Sequence, residues 1–340
     1  MRKQALVLAA LMTASMLSGC LGVGSDDGLF GGEESKEPLR LNHIQMKGTH
    51  NSYHIEPMVS PTREYMYTHQ PLDVQATELG VRQFEIDVWW DLREGLRVYH
   101  NQYDSGTTCP TFENCLVTLL SWSEENPGHH PIFIWIEPKD WPEQAADVTT
   151  TLELSGILEG IEQEISQFWP LNKTITPDDV RGERENLREA IMEDGWPVIE
   201  ESTGKAIFVL LAHGETRDLY LDSHPNLSGA RMFTLSDESS TEAAIFSLTD
   251  PVGSGDEITR LVNEGYIVRS RADSGGEEAD NNDSTRLNAA LSVGAHSIST
   301  DYPGKVDGID YWVEIPNGEP SRCNPITAPD WCSSTEIESL

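Results

Sequence analysis

Gly48-Thr49-His50-Asn51 follows a short apolar alternation, Leu41 to Met46, that reads as a strand, so a proton-transfer group and a neutral oxygen ligand sit together at a strand end. Further along, Glu85-x-Asp87 puts two carboxylates on one face of an extended segment. His100 closes another short strand, and Glu137-Pro138-Lys139 ends a continuous apolar run. Histidine titrates near neutrality and can take or give a proton at working pH. Asn51, Glu85, Asp87 and Glu137 are all oxygen donors, a set that suits a hard cation such as Ca2+ far better than zinc. Brought together, these residues would carry out acid–base chemistry beside a bound cation, with Lys139 as an extra positive charge. Each has a plainer account. His50-Asn51 alone is a loop capped by its own side chains, His100 a capping histidine, Glu137–Lys139 a surface ion pair, and Arg269 and Arg271 partners of Asp273 or Glu277. The remaining histidines, His54 and His69 among them, read as structural or solvated.

These groups meet only if the chain brings strand ends to one place. Strands are expected at 43–48, 82–88, 132–137, 205–211, 231–235, 244–248, 266–271 and 295–300, with a further short one at 95–100. Helices are expected at 71–79, 112–125, 141–169 (mostly), 183–194, 255–264 and 284–293, with Thr176-Pro177-Asp178-Asp179 opening another segment. Eight strands with mostly helical crossovers make an α/β fold of the (β/α)8, TIM-like barrel class, irregular between strands five and six, where the link is too short for a full helix. Function in such a barrel collects at the carboxyl ends of the strands, which is where the candidate residues fall. The stretch after Asp307, rich in Pro, Asn and Ser, reads as a coil stapled over the barrel.

The chain has 340 residues and 38% apolar content, enough for a large core. Arg2-Lys3 and an apolar run from Ala5 to Leu17 read as a secretory signal, too short and wrongly flanked for a spanning helix. Leu17-Ser18-Gly19-Cys20 resembles the bacterial lipoprotein box, which would make residues 1–19 a leader, Cys20 an acylated N-terminus and residues 20–40 mainly a solvated tether to a single domain over 41–340. That resemblance implies an exported, lipid-anchored protein of the cell envelope. Cys109, Cys115, Cys323 and Cys332 remain, an even number that suggests two disulfides in an exported chain. Their spacings favour Cys109–Cys115 and Cys323–Cys332; a four-cysteine zinc site competes weakly, since neither pair is C-x-x-C. A net charge of −34 argues against nucleic acid as a partner and opposes close approach to an anionic bilayer.

Gly48-Thr49-His50-Asn51, Glu85-x-Asp87, His100 and Glu137 together resemble the catalytic block of phosphatidylinositol-specific phospholipase C, in its calcium-dependent bacterial (Streptomyces-type) branch. Thr176 to Gly182, Gly265 to Asp273, Ser297 to Tyr302 and Arg322-Cys323-Asn324-Pro325 look like the same branch. The resemblance implies that the inositol 2-hydroxyl attacks its own phosphodiester, releasing diacylglycerol and an inositol 1,2-cyclic phosphate. It implies His50 as base, His100 as acid to the leaving oxygen, and Ca2+ held by Asn51, Glu85, Asp87 and Glu137. Lys139 and Arg271 would contact substrate, a phospholipid at a membrane surface, and the protein is expected to act as a monomer. Two rivals stand beside this reading. One is a glycerophosphodiester or sphingolipid phosphodiesterase of the same barrel, the first of which typically begins with His-Arg-Gly where this chain has His50-Asn51-Ser52. The other is a non-catalytic envelope lipoprotein, against which an intact histidine pair argues.

Overall fold

The apolar runs become strands because each is covered on both faces. The computed structural model describes residues 36–91, 93–139, 154–317 and 320–338. In chain order the strands are β1 (Ile44–Thr49), β2 (Val81–Asp91), β3 (Gly95–Val98), β4 (Ile132–Lys139), β5 (Ala206–Leu210), β6 (Met232–Thr234), β7 (Ile245–Ser247), β8 (Ile267–Arg271), β9 (Ser297–Thr300) and β10 (Ser321–Cys323). The helices are α1 (Leu72–Glu78), α2 (Phe112–Glu125), α3 (Leu154–Phe168), α4 (Pro177–Arg181), α5 (Leu187–Glu193), α6 (Gly214–Ser223), α7 (Gly255–Asn263), α8 (Glu277–Asn281) and α9 (Thr285–Ser292).

Eight strands lie in the order β6-β5-β4-β2-β1-β9-β8-β7, every neighbouring pair parallel. A single parallel bridge, Leu235 to Ile245, links the β6 and β7 edges, so the barrel closes weakly there. This is the expected TIM-like barrel, and the weak seam is the helix-free link between the fifth and sixth strands. Phe133, Trp135, Phe208 and Phe233 are fully buried in the core. β3 is a hairpin partner of β2 and lies off the barrel path.

Local chemistry sets the helix ends. The Thr111 side chain accepts from the Asn114 N–H to start α2, and Thr176 with Asp179 forms a capping box ahead of Pro177 in α4. Several expectations need correction. The helix expected at 183–194 begins only at Leu187, where Asn186 caps it. α6 was not expected at all, since Tyr220 is its only buried residue and its apolar pattern is correspondingly weak. The helix expected from 141 begins, among the described residues, at Leu154; its first part lies outside them, as do the leader and Cys20. Packing starts earlier than residue 41: Leu39 is buried and the Arg40 guanidinium donates to the Trp196 carbonyl at 2.6 Å.

The tail does staple the barrel, with a strand in it. β10 runs antiparallel to Ile44–Met46 at the amino-terminal end, and Arg82 pairs with Glu338 at 2.6 Å. Both expected disulfides are present, Cys109–Cys115 tying the loop before α2 to the first turn of that helix and Cys323–Cys332 in the tail. No described helix is long and apolar enough to cross a membrane.

Candidate active site

Strand periodicity and register assemble the carboxylates. Glu85 and Asp87, two residues apart on β2, face the same side. The parallel register sets Glu137 of β4 directly beside Asp87. As a result Glu85, Asp87 and Glu137 each offer an oxygen within 4.8 Å of the others. Gly48 makes room next door. It does not make the exit from β1: it lies inside the strand, and a Cβ there would come within 2.0 Å of the Gln83 amide oxygen. The turn falls instead at Asn51, a buried residue with φ 43° whose side chain interacts with the Tyr67 hydroxyl.

Two buried carboxylates and a half-buried one need positive charge. Lys139 Nζ lies 2.6 Å from Glu137 Oε1 and 3.0 Å from Asp87 Oδ2, a largely buried ion pair and not the surface pair of the plainer account. Arg269 hydrogen-bonds Glu85 Oε2, with its guanidinium 5.3 Å over the Trp135 ring. Burial works against the charge of Glu85, but Arg269 above all, with His50 and Arg271, holds its carboxyl below the ordinary value. Burial and the neighbouring Asp87 charge push the Glu137 carboxyl up to about 7. The Glu137 side chain keeps 30% of its surface open, so solvent tempers the burial contribution. Asp87 is fully buried, and its Oδ1 accepts no hydrogen bond among the described residues. A buried carboxylate oxygen without a donor, converging with two other carboxylates, fits a hard divalent cation.

The two histidines flank this cluster and are partly open, with 23% exposure at His50 and 25% at His100. His50 Nδ1 meets Asp301 Oδ1 at 2.8 Å, which leaves Nε2 facing outward, 3.8 Å from Glu85 Oε1. Asp301 also accepts from Arg271 Nη2 at 3.0 Å. Burial opposes its charge, yet Arg271 and His50 hold its carboxyl far below the usual range. The His69 ring donates Nε2–H to the His50 carbonyl at 2.9 Å, and burial lowers its pKa to about 4, so it acts as a neutral strut. His100 Nδ1 meets Asp104 Oδ2 at 2.9 Å. Burial lowers the proton affinity of His100, but the Asp104 hydrogen bond and the Asp87 charge outweigh it and raise the pKa.

Glu85, Asp87 and Glu137 come together with Lys139 and His50 at the barrel mouth; His100 lies in reach of the Asp87 and Lys139 charges, Arg271 joins through Asp301, and the Asn51 side chain meets Tyr67. Arg271 pairs with Asp301, and with Asp273 only at 3.9 Å. Sequence reasoning missed Asp301 and Asp104 as histidine partners and Arg269 as the Glu85 partner, and treated His54 and His69 as structural. Asp301 does lie within Ser297 to Tyr302, and Arg269 shares the alternation of Arg271 on β8; Asp104 carried no signal beyond standing four residues after His100. A cavity of 780 Å³ between α3 and α6, lined by Glu162, Gln163, Tyr220 and His224, shares no residue with this mouth; the convergent charges, not cavity size, locate the chemistry.

Solved structures share the fold. A Ca2+-dependent phosphatidylinositol-specific phospholipase C from Streptomyces antibioticus superposes with a TM-score of 0.55 at 18% identity, over 78% of this chain and 95% of that one. A calcium-dependent phosphoinositol-specific phospholipase C from a Pseudomonas species gives 0.52 at 16%, over 78% and 91%. The Staphylococcus aureus phosphatidylinositol-specific phospholipase C gives 0.52 at 15%, over 80% and 90%. No curated protein matches the chain significantly. Residues 39–98 and 92–325 match the family described as phosphoinositide phospholipase C, Ca2+-dependent, and the chain belongs to that family of calcium-dependent phosphodiesterases.

Proposed function

We propose that this enzyme cleaves phosphatidylinositol by intramolecular transfer, with His50 as base and His100 as acid. One observation carries the reading: each histidine commits Nδ1 to a buried aspartate, which leaves Nε2 for proton transfer, His50 beside Glu85 and His100 within reach of the Asp87 charge. His50 Nε2 takes the proton of the inositol 2-hydroxyl while its oxygen bonds to phosphorus. The bond from phosphorus to the glycerol oxygen breaks, and His100 Nε2–H protonates that oxygen. The products are diacylglycerol and inositol 1,2-cyclic phosphate, with no water consumed.

Asn51, Glu85, Asp87 and Glu137 are the residues we assign to holding Ca2+. When bound, the ion lowers the hydroxyl pKa and neutralises charge on the phosphoryl oxygens. Lys139 and Arg271 add fixed positive charge toward the phosphate. The substrate lies in a bilayer, and the loops after β1 and around His100 expose Met58 (102%), Val59 (84%) and Tyr103 (68%). With a net charge of −34, adsorption through such apolar side chains suits this protein better than electrostatic attraction. A lipid on Cys20 and an envelope location belong to the same proposal, resting on Leu17-Ser18-Gly19-Cys20.

Phosphorus NMR of phosphatidylinositol vesicles, with Ca2+ and with excess chelator, tests the reading. A cyclic phosphate resonance that appears first and only with Ca2+ is the expected result. A linear phosphate from the outset, or turnover only of a glycerophosphodiester or sphingolipid, would refute it.

A further inference from the structure

We infer that His54 and Asp104 form a buried positioning unit for His100, with one carboxylate shared between two histidines. The geometry is specific: His54 Nε2 lies 2.6 Å from Asp104 Oδ1, and His100 Nδ1 lies 2.9 Å from Asp104 Oδ2. An ionised carboxylate only accepts, so both rings donate to it. That fixes His100 with Nδ1–H toward Asp104 and Nε2 toward the mouth. A carboxylate held by one donor can pivot about its own bond; a second donor on the other oxygen fixes its plane, and with it the His100 ring.

His54 is well placed to be that anchor. Its side chain is fully buried and stacks on Tyr67 with centroids 4.1 Å apart. Its backbone N–H donates to the Asn51 carbonyl, and its carbonyl accepts from the His69 N–H, both at 2.9 Å. Asp104 sits in a tight turn whose N–H and C=O both bond to Asn101. The His54–Asp104 contact thus ties the loop that carries His50 to the loop that carries His100. Backbone bonds from Ile55 N–H to the Gly106 carbonyl and from Thr108 N–H to the Tyr53 carbonyl join the same two loops, so what the side-chain contact adds is the orientation of Asp104 and of the His100 ring. Besides Asp104, the charged or titratable groups facing His100 are Asp87 on β2, Lys139 on β4 and the Tyr65 ring at 5.2 Å; Tyr67 faces Asp104 and His54.

This inference rests on His100 being the acid, and its test separates the two. The histidine rings are titrated by NMR without substrate, in the parent, Asp104→Asn, His54→Leu and His54→Gln. Turnover is followed with a natural and an acidic leaving group. Asp104→Asn should lower the His100 pKa by about one unit or more. It should also move the alkaline limb of the kcat profile down with it. His54→Leu removes the donor at similar volume and should cut kcat about tenfold or more at unchanged KM, with most of the loss relieved by the acidic leaving group. His54→Gln puts an amide N–H near the reach of Nε2 and should restore most of that loss. Equal kcat for His54→Leu and His54→Gln, or an unmoved His100 pKa in Asp104→Asn, would overturn the unit. If His100→Ala itself keeps full turnover, the acid assignment fails, while the ring titrations still decide the bridge.

Discussion

Replacing Asp301 by asparagine removes one charge and little else. The residue accepts from His50 Nδ1 at 2.8 Å and Arg271 Nη2 at 3.0 Å in a nearly solvent-free position. Asparagine keeps an accepting oxygen, so the His50 tautomer survives; the charge that stabilises its protonated form during attack does not. At an effective dielectric of about 20, a carboxylate about 4 Å from an imidazolium is worth about 4 kcal/mol. The retained hydrogen bond and the 23% exposure of the His50 side chain reduce this to about 1.5–3 kcal/mol. That corresponds to roughly 10- to 150-fold in kcat. Initial rates on phosphatidylinositol at saturating Ca2+, beside calcium calorimetry, read the effect: kcat should fall and calcium affinity should hold. The stability change has a sign of its own. Burial and the Asp301 charge push the Asp273 carboxyl up to about 7. A carboxyl raised in the fold favours the fold at low pH and loses that contribution as pH climbs from the ordinary value toward 7. Without Asp301's charge, Asp273 ionises earlier and takes over Arg271, so the gap in Tm between parent and variant should narrow between pH 5 and 7.5. Unchanged kcat, or calcium affinity lost along with it, would refute the assignment of Asp301 to His50.

Three further outcomes follow from the geometry. Asp87→Asn should weaken calcium binding by roughly 10- to 100-fold in calorimetry, since it removes a charged oxygen ligand, and chelation of the parent should stop turnover while circular dichroism stays unchanged; undiminished affinity in the variant would move the metal elsewhere. His50→Ala and His100→Ala should each lose about 10²–10⁴-fold in activity, but only His100→Ala should recover with an acidic leaving group. Equal rescue would undo the division of roles. Met58→Ser with Val59→Ser should reduce adsorption to zwitterionic vesicles by roughly tenfold or more, at constant turnover of a soluble analogue; adsorption that depends on salt and ignores the double variant would mean electrostatic attachment.

Most of the fold was legible because it rests on short-range pattern. Short continuous apolar runs rich in β-branched and aromatic residues, such as Ile132 to Ile136 between Pro131 and Pro138, read as strands covered on both faces, and each barrel strand begins within two residues of its expected start. α6 escaped because its contact with the barrel comes down to Tyr220, too little to impose a period. The site divides the same way. Glu85-x-Asp87 is visible because residues two apart on a strand share a face, and register then brings Glu137 alongside. The partners were invisible because they are set by closure: His50 with Asp301 joins the two neighbouring strands β1 and β9, which lie at opposite ends of the sequence, and Glu85 with Arg269 spans the barrel interior. Residue type alone cannot tell an aspartate that orients a histidine from one that faces water.

Charge shows why these partners belong together. The mouth gathers six carboxylates, Glu85, Asp87, Asp104, Glu137, Asp273 and Asp301, against three fixed cations, Lys139, Arg269 and Arg271. Placed in a chain of net charge −34, that imbalance has no relief from the surrounding surface. Two of the carboxyls, Glu137 and Asp273, stand at about 7, which is how buried like charges lower their own repulsion. The excess is concentrated at Asp87, whose Oδ1 finds no donor among the described residues, and beside histidines that gain or hold a proton during reaction. Fully ionised, the six carboxylates would exceed the three cations by three, the charge a divalent ion and one imidazolium would supply; until then partial protonation of Glu137 and Asp273 takes up part of that excess. The same negative excess that excludes a second anion in the resting site therefore admits a phosphodiester once those charges are in place.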